Sequence, residues 1–119
     1  MGKNEELGLP AGEGMEKWAI AFDVDGTLID EDGNPHEEIV AMLKTFSRFK
    51  NVKIVVWSGG GKGYADHHVH RLGLEKYVSV FASKTEWQEL RRVMEDRVIA
   101  IDDIQDTRLG LANLIPRLK

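Results

Sequence analysis

Acidic residues and one lysine stand where apolar runs of the sequence end. Asp23 closes the first run, with Asp25 two residues further on, and Asp102 and Asp103 follow the fourth run. Lys84 comes shortly after the third run. Carboxylates gathered in one place raise one another's pKa, so a cation is expected among them. Carboxylate oxygens without histidine or cysteine favour Mg²⁺, which commonly bridges protein carboxylates and a substrate phosphate.

A hydroxyl and several free backbone N–H groups follow the second apolar run. Ser58 ends that run, and Gly59 to Gly61 come directly after it. Such donors suit phosphate oxygens, and Thr27 or a glycine N–H could share the task of Ser58. With Lys84 supplying positive charge, these residue types predict phosphoryl transfer, in which positioning and electrostatics account for most of the catalysis.

Short apolar runs alternate with helical segments, as in a parallel sheet that is covered by helices. The pattern predicts an α/β fold, a three-layer α/β/α Rossmann-like sandwich with a mainly parallel sheet of about five strands. The carboxyl ends of the strands would share one crevice, which is where ligands bind in such sheets. The predicted strands cover residues 18–22, 52–57, 77–81, 97–101 and 114–118. Because the last of them contains Pro116, it is expected at an edge of the sheet.

The first helix is predicted to follow an acidic loop that reaches Pro35. Asn34 would be its N-cap, Pro35 its first residue and Glu37 the second half of a capping box. The apolar stripe expected to be buried consists of Ile39, Leu43, Phe46 and Phe49.

Two further helices are predicted between the later strands. One covers about residues 64–72 and ends at Gly73. The other begins with a capping box of Thr85 and Gln88. Its apolar positions are Trp87, Leu90 and Met94.

Length and composition exclude several other classes of protein. The 119 residues, 42% of them hydrophobic, predict one catalytic domain over residues 15–119 after a flexible leader over residues 1–14. A net charge of −4 argues against a protein that coats nucleic acid. The absence of cysteine excludes disulfides and thiolate sites. Since no apolar run is long enough to cross a bilayer and no signal peptide is recognisable, the expected location is the cytoplasm.

Four motifs in order resemble those of the haloacid dehalogenase superfamily. The string from Asp23 to Leu28, DVDGTL, is similar to its first motif, and the string from Val56 to Gly59, VWSG, to its second. Lys84 fits the third motif, and Ile101 with the acidic pair fits the fourth. The resemblance covers about residues 18–106 and is specific as an ordered set.

The resemblance implies a Mg²⁺-dependent phosphatase. Asp23 would form an aspartyl-phosphate, while Asp25 would protonate the leaving oxygen and then activate water. Mg²⁺ would be held by Asp23, by the backbone carbonyl of Asp25 and by Asp103, with Asp102 in support. The phosphoryl oxygens would be held by Ser58, Gly59, Thr27 and Lys84.

No cap domain is expected, because only the loop over residues 28–35 follows the first motif and Lys84 follows its strand closely. In this superfamily an open site goes with bulky substrates or with homo-oligomers whose neighbours close it. The expected partner is a phosphorylated substrate, either a small molecule or one borne on a macromolecule. Asp106 departs from the commonest spacing of the fourth motif.

Three other functions stay open at this point. One is a phosphotransferase of the same fold, and another is a binding module without catalysis. The third is a phosphatase of nucleic-acid ends, for which four arginines would have to face the crevice: Arg71, Arg91, Arg92 and Arg108.

Two further patterns are interpreted as non-functional. Asp66 and His70, in a histidine-rich segment, are expected on a solvated helix face rather than at a metal. The glycines around Lys62 fail the nucleotide-binding patterns, since neither Ser nor Thr follows Lys62 and Tyr64 stands where a glycine is needed.

Overall fold

Five parallel strands form a single sheet. A computed structural model of the chain describes residues 16–106 and 108–116, so the predicted leader over residues 1–14 lies outside the described residues. The strands are β1 (Trp18–Asp23), β2 (Val52–Ser58), β3 (Val80–Ser83), β4 (Val98–Ile101) and β5 (Ala112–Leu114). In spatial order the sheet runs β3-β2-β1-β4-β5.

Helices cover both faces of this sheet, which confirms the predicted α/β sandwich. They are α1 (Glu37–Phe46), α2 (Lys62–Arg71) and α3 (Trp87–Val93), and short 3₁₀ turns occupy Glu75–Tyr77 and Lys84–Glu86. Helices α1 and α2 pack on one face and α3 on the other. No cap domain is inserted among the described residues, and no helix in them is long and apolar enough to span a membrane.

The apolar residues of the central strands alternate between the two faces, since successive side chains of a strand point to opposite sides. In β1, Phe22 belongs to the core under α1 and α2, whereas Ala21 belongs to the core under α3. In β2, Val56 and Trp57 divide in the same way. Burial on both faces explains why these strands are apolar almost throughout.

Helix α1 begins later than the sequence predicted. Its N-cap is His36, with no side-chain cap, so the predicted N-cap at Asn34 is wrong. The carbonyl of Asn34 accepts a hydrogen bond from the Asp30 N–H, and Pro35 pairs with Ile29 in an isolated bridge. These residues complete the loop after β1 instead of opening the helix. The helix also ends before Phe49, which is 51% exposed.

The third strand and the helix after it are displaced from their predicted positions. Tyr77 closes a 3₁₀ turn, so β3 begins at Val80. The capping box is formed by Ser83 and Glu86 rather than by Thr85 and Gln88. The Glu86 carboxylate accepts the Ser83 N–H at 2.8 Å. This box fixes the turn that carries Lys84.

The last strand also lies earlier than predicted. Strand β5 pairs with β4 at the sheet edge, as expected, but it ends at Leu114. Residues 117 and 118 of the predicted range 114–118 lie outside the described part of the chain.

Candidate active site

Four neighbouring strands bring the predicted site residues to one edge of the sheet. Asp23 ends β1 and Ser58 ends β2, while Lys84 and Asp102 come directly after β3 and β4. The register places Asp23 beside Trp57 and Ser58 beside Ser83. Because all these strands run in parallel, their carboxyl ends open into one crevice.

Lys84 connects the two buried acids at the floor of the crevice. Its Nζ lies 2.9 Å from Asp23 Oδ1 and 2.7 Å from Asp102 Oδ2. The Asp102 side chain is fully buried, and its other oxygen accepts the Ile104 N–H at 2.9 Å. Both oxygens of Asp102 therefore have partners within the protein.

The titration of these groups reflects their burial. Burial and a hydrogen bond with the Asp103 side chain raise the pKa of Asp23 to about 7, although Lys84 acts in the opposite direction. Burial also raises the pKa of Asp102. For Lys84, burial alone would lower the pKa, but the contacts with Asp102 and Asp23 outweigh it and raise the pKa. The ammonium is thus firmly charged, and it favours ionised neighbours.

Thr27 joins the first and fourth motifs from inside the protein. Its hydroxyl donates to Asp23 Oδ2 at 3.3 Å and accepts the Asp103 N–H at 3.1 Å. The side chain is completely buried. The hydroxyl therefore fixes Asp23 and the loop of Asp103, and the substrate-binding role that the sequence suggested for Thr27 stays a prediction.

Asp103 is exposed and faces the backbone of Gly26. A Cβ at Gly26 would lie 2.3 Å from Asp103 Oδ2, and the residue has a φ of +81°. The positive φ favours glycine at this position, and any larger residue would also displace the Asp103 carboxylate. The first motif therefore has glycine where the carboxylate of the fourth motif approaches its backbone.

The donor set of this cluster fits Mg²⁺. Asp23, Asp102 and Asp103 each offer an oxygen, and these atoms all lie within 4.8 Å of one another. Among the described residues they form the one group of three or more acidic or histidine side chains with this spacing. Lys84 pairs with two of the three, Asp23 and Asp102, so an excess of negative charge remains for a hard divalent ion.

Ser58 and the glycines after it form a second wall of the crevice. The Ser58 side chain is buried, and its Oγ accepts the Gly60 N–H at 2.9 Å. That bond uses the oxygen as an acceptor and leaves the hydroxyl proton to be donated. Gly61, with a φ of +107°, turns the chain into α2. Gly59 is exposed at the crevice rim.

Asp25 projects from the loop after β1 and is exposed. Its Oδ1 accepts a hydrogen bond of 2.7 Å from the hydroxyl of Tyr64, in the first turn of α2. This bond raises the pKa of the tyrosine. Sequence reasoning missed Tyr64 and interpreted it as a helix residue. The available signal was a phenol in the first helical turn after the Ser58 motif.

Other polar residues do not join this cluster. Asp106 is bound by Arg108 at 2.6 Å, which holds the pKa of its carboxyl at about 2. His70 pairs with Asp66 on the same helix, at 2.6 Å between Nδ1 and Oδ1. Arg91 pairs with an acid near the opposite end of β4, Asp96.

Comparison with protein families gives one match. A family model described as haloacid dehalogenase-like hydrolase matches residues 20–105. This range covers most of the chain and contains every predicted site residue. A search of curated proteins finds no match, and neither does a search of solved structures.

Proposed function

Since the chain belongs to the haloacid dehalogenase-like hydrolases, we propose that it hydrolyses phosphomonoesters with the help of Mg²⁺. One observation carries the proposal: the ammonium of Lys84 lies between two buried carboxylates, Asp23 and Asp102, at an edge where Asp103 adds a third. A hard divalent ion would offset the excess negative charge of these carboxylates, and together with the Lys84 ammonium it would attract a phosphoryl group.

Asp23 is the proposed nucleophile. One of its oxygens attacks phosphorus, a new P–O bond to the carboxylate forms, and the ester P–O bond breaks. Lys84 Nζ, 2.9 Å away, favours the ionised carboxylate that this attack needs. The hydrogen bond from Thr27 limits rotation of the carboxylate. Burial of the side chain excludes water that would otherwise solvate the charge.

Asp25 is the proposed acid and base. It gives a proton to the departing alcohol oxygen, then takes a proton from the water that attacks the aspartyl-phosphate. Inorganic phosphate leaves and Asp23 is regenerated. An exposed carboxyl two residues from the nucleophile suits this exchange, because both the alcohol and the water arrive from solvent.

The remaining residues would hold the metal and the phosphoryl oxygens. Bound Mg²⁺ would neutralise charge on the phosphoryl group as it transfers. The proposed ligands of Mg²⁺ are Asp23, the backbone carbonyl of Asp25 and Asp103. Ser58 would donate its hydroxyl proton to a phosphoryl oxygen, with the N–H of Gly59 beside it.

The proposed substrates are phosphomonoesters of varied size, because no inserted domain covers the crevice in the described residues. A cleft of about 500 Å³ adjoins Asp25 and Tyr64 and offers room for the alcohol.

Phosphate release from 4-nitrophenyl phosphate tests this proposal. We expect activity that needs Mg²⁺ and that falls below detection in Asp23→Asn, which keeps the shape of the side chain but removes the nucleophile. Asp96→Asn is the matched control, because Asp96 is an exposed acid away from the crevice. Hydrolysis that persists in Asp23→Asn, or that is indifferent to Mg²⁺ removal, would refute the mechanism.

A further inference from the structure

The phenol of Tyr64 lies against the carboxyl that exchanges protons in the proposed mechanism. We propose that Tyr64 is a positioning residue for Asp25. It holds Oδ1 of the carboxyl by a hydrogen bond and leaves Oδ2 to exchange the proton with the alcohol and with water. This inference rests on the proposed phosphatase function, and it adds a residue that the four motifs do not contain.

The contact itself is short and specific. The Tyr64 hydroxyl lies 2.7 Å from Asp25 Oδ1, within the range of a strong O–H···O bond to a charged acceptor. Among the described residues, no other side chain is hydrogen-bonded to Asp25. An exposed aspartate without such a partner would exchange among rotamers, so that only a fraction of molecules would present the carboxyl correctly.

The Tyr64 ring is held from two sides, which fixes the position of its hydroxyl. On one side it passes close to Gly60, where an added Cβ would lie 3.2 Å from the ring and 3.4 Å from Ser58 Oγ. On the other side the edge of His68 meets it, with 4.6 Å between ring centroids and an angle of 68°. Gly60 thus leaves the space that the tyrosine ring occupies.

A second set of contacts connects helix α2 to the loop after β1. Arg71 donates from Nε to His68 Nδ1 at 3.3 Å and from Nη2 to the carbonyl of Gly33 at 2.7 Å. Helix α2 therefore contacts the loop after β1 at two points, Gly33 and Asp25. These two contacts hold Tyr64 at a fixed position relative to Asp25.

If the Tyr64 hydroxyl had a purely structural role, its removal would lower the stability of the fold. The hydrogen bond joins two exposed side chains, and such bonds contribute little to folding. We therefore expect its removal to change proton transfer to the leaving oxygen while leaving the folded state intact.

Tyr64→Phe tests the inference, because it removes the hydroxyl and keeps the ring contacts. The measurement is kcat/KM for phenyl phosphate and for 4-nitrophenyl phosphate, which differ mainly in the quality of the leaving group. A poor leaving group needs the proton of Asp25 and a good one does not. We expect a loss of roughly 10- to 100-fold with phenyl phosphate and of less than about threefold with 4-nitrophenyl phosphate.

The matched control is Tyr77→Phe, the same change at the other tyrosine of the chain. Tyr77 belongs to the 3₁₀ turn before β3, and its replacement should leave both values unchanged. A double-mutant cycle adds a second readout, the rate constant for the first release of phenol from phenyl phosphate in a single turnover: in the Asp25→Asn background, Tyr64→Phe should change this rate constant by less than about twofold.

Equal losses with both substrates, or no loss with phenyl phosphate, would overturn the inference while the phosphatase function stands. A further loss in the Asp25→Asn background would do the same, since Tyr64 would then act independently of Asp25. A native chain that hydrolyses neither substrate would overturn the proposed function and this inference together.

Discussion

Replacing Lys84 with methionine should destabilise the protein in a strongly pH-dependent manner. The change keeps the length of the side chain but removes the ammonium that lies 2.9 Å from Asp23 and 2.7 Å from Asp102. Removal of one partner from a buried ion pair costs about 3–5 kcal/mol. We expect the lower end, about 3 kcal/mol near pH 8, because Lys84 is still 19% exposed.

Near pH 5 the loss should be smaller. Burial raises the pKa of Asp23 to about 7 from an ordinary value of 3.8, so between these two pH values the folded state binds a proton that the unfolded state releases. At pH 5 Asp23 is therefore already neutral in the native chain, and it stays neutral without Lys84, because loss of the ammonium raises this pKa further. The carboxylate that remains is then Asp102, and the destabilisation should fall to about 1 kcal/mol.

Urea unfolding in the presence of a chelator measures this difference. With a denaturant slope of about 1.5 kcal/mol per M, the midpoint of Lys84→Met should be about 2 M lower than that of the native chain near pH 8. Near pH 5 the difference should be less than about 1 M. Lys53→Met, on an exposed lysine of β2, serves as the control. A midpoint change in Lys84→Met that is the same at both pH values would refute the assignment of charge at the crevice floor.

Two further predictions concern the metal and the buried threonine. Millimolar Mg²⁺ should raise the melting temperature more near pH 8 than near pH 6, because the carboxylates that bind it must be deprotonated. Asp103→Asn should abolish this increase. Equal increases at both pH values would contradict the prediction. Thr27→Val should lower the free energy of unfolding by about 1–2 kcal/mol, because the Asp103 N–H loses its acceptor. The control is Thr45→Val on the exposed side of α1, which should lower it by less than about 0.5 kcal/mol. Urea unfolding compares the two, and similar losses would show that the Thr27 bridge contributes nothing.

The parts of the fold that the sequence predicted are those with strong hydrophobic patterns. Strands β1 and β2 are buried on both faces, so their apolar runs mark them almost to the residue. The carboxyl ends of these strands then located Asp23 and Ser58 without any knowledge of side-chain contacts.

The errors fall where local signals compete. Asn34 and Pro35 have the residue types of a helix start, but the backbone of the acidic loop uses Asn34 as an acceptor. Ser83 and Thr85 are both good N-caps, and each has a Glu or Gln three residues later. The end of β3 decides between them, because Ser83 is its last residue.

Contacts between distant segments could not be predicted from spacing. Tyr64 and Asp25 are 39 residues apart, and their hydrogen bond depends on the angle at which α2 leaves the sheet. The burial of Thr27 depends likewise on the approach of the loop at Asp103, 76 residues away. Residue type gave the chemistry available to each side chain, while packing determined its partner.

Trapping the covalent intermediate tests the central claim most directly. Asp25→Asn mixed with 4-nitrophenyl phosphate and Mg²⁺ should release one nitrophenolate per chain in a burst and then stall, since the good leaving group departs without a proton but water is not activated. Mass spectrometry of the acid-quenched protein should find one phosphoryl group on the peptide that contains Asp23. A native chain that turns over while Asp25→Asn shows no phosphoryl group on Asp23, or carries it at another residue, would contradict the account.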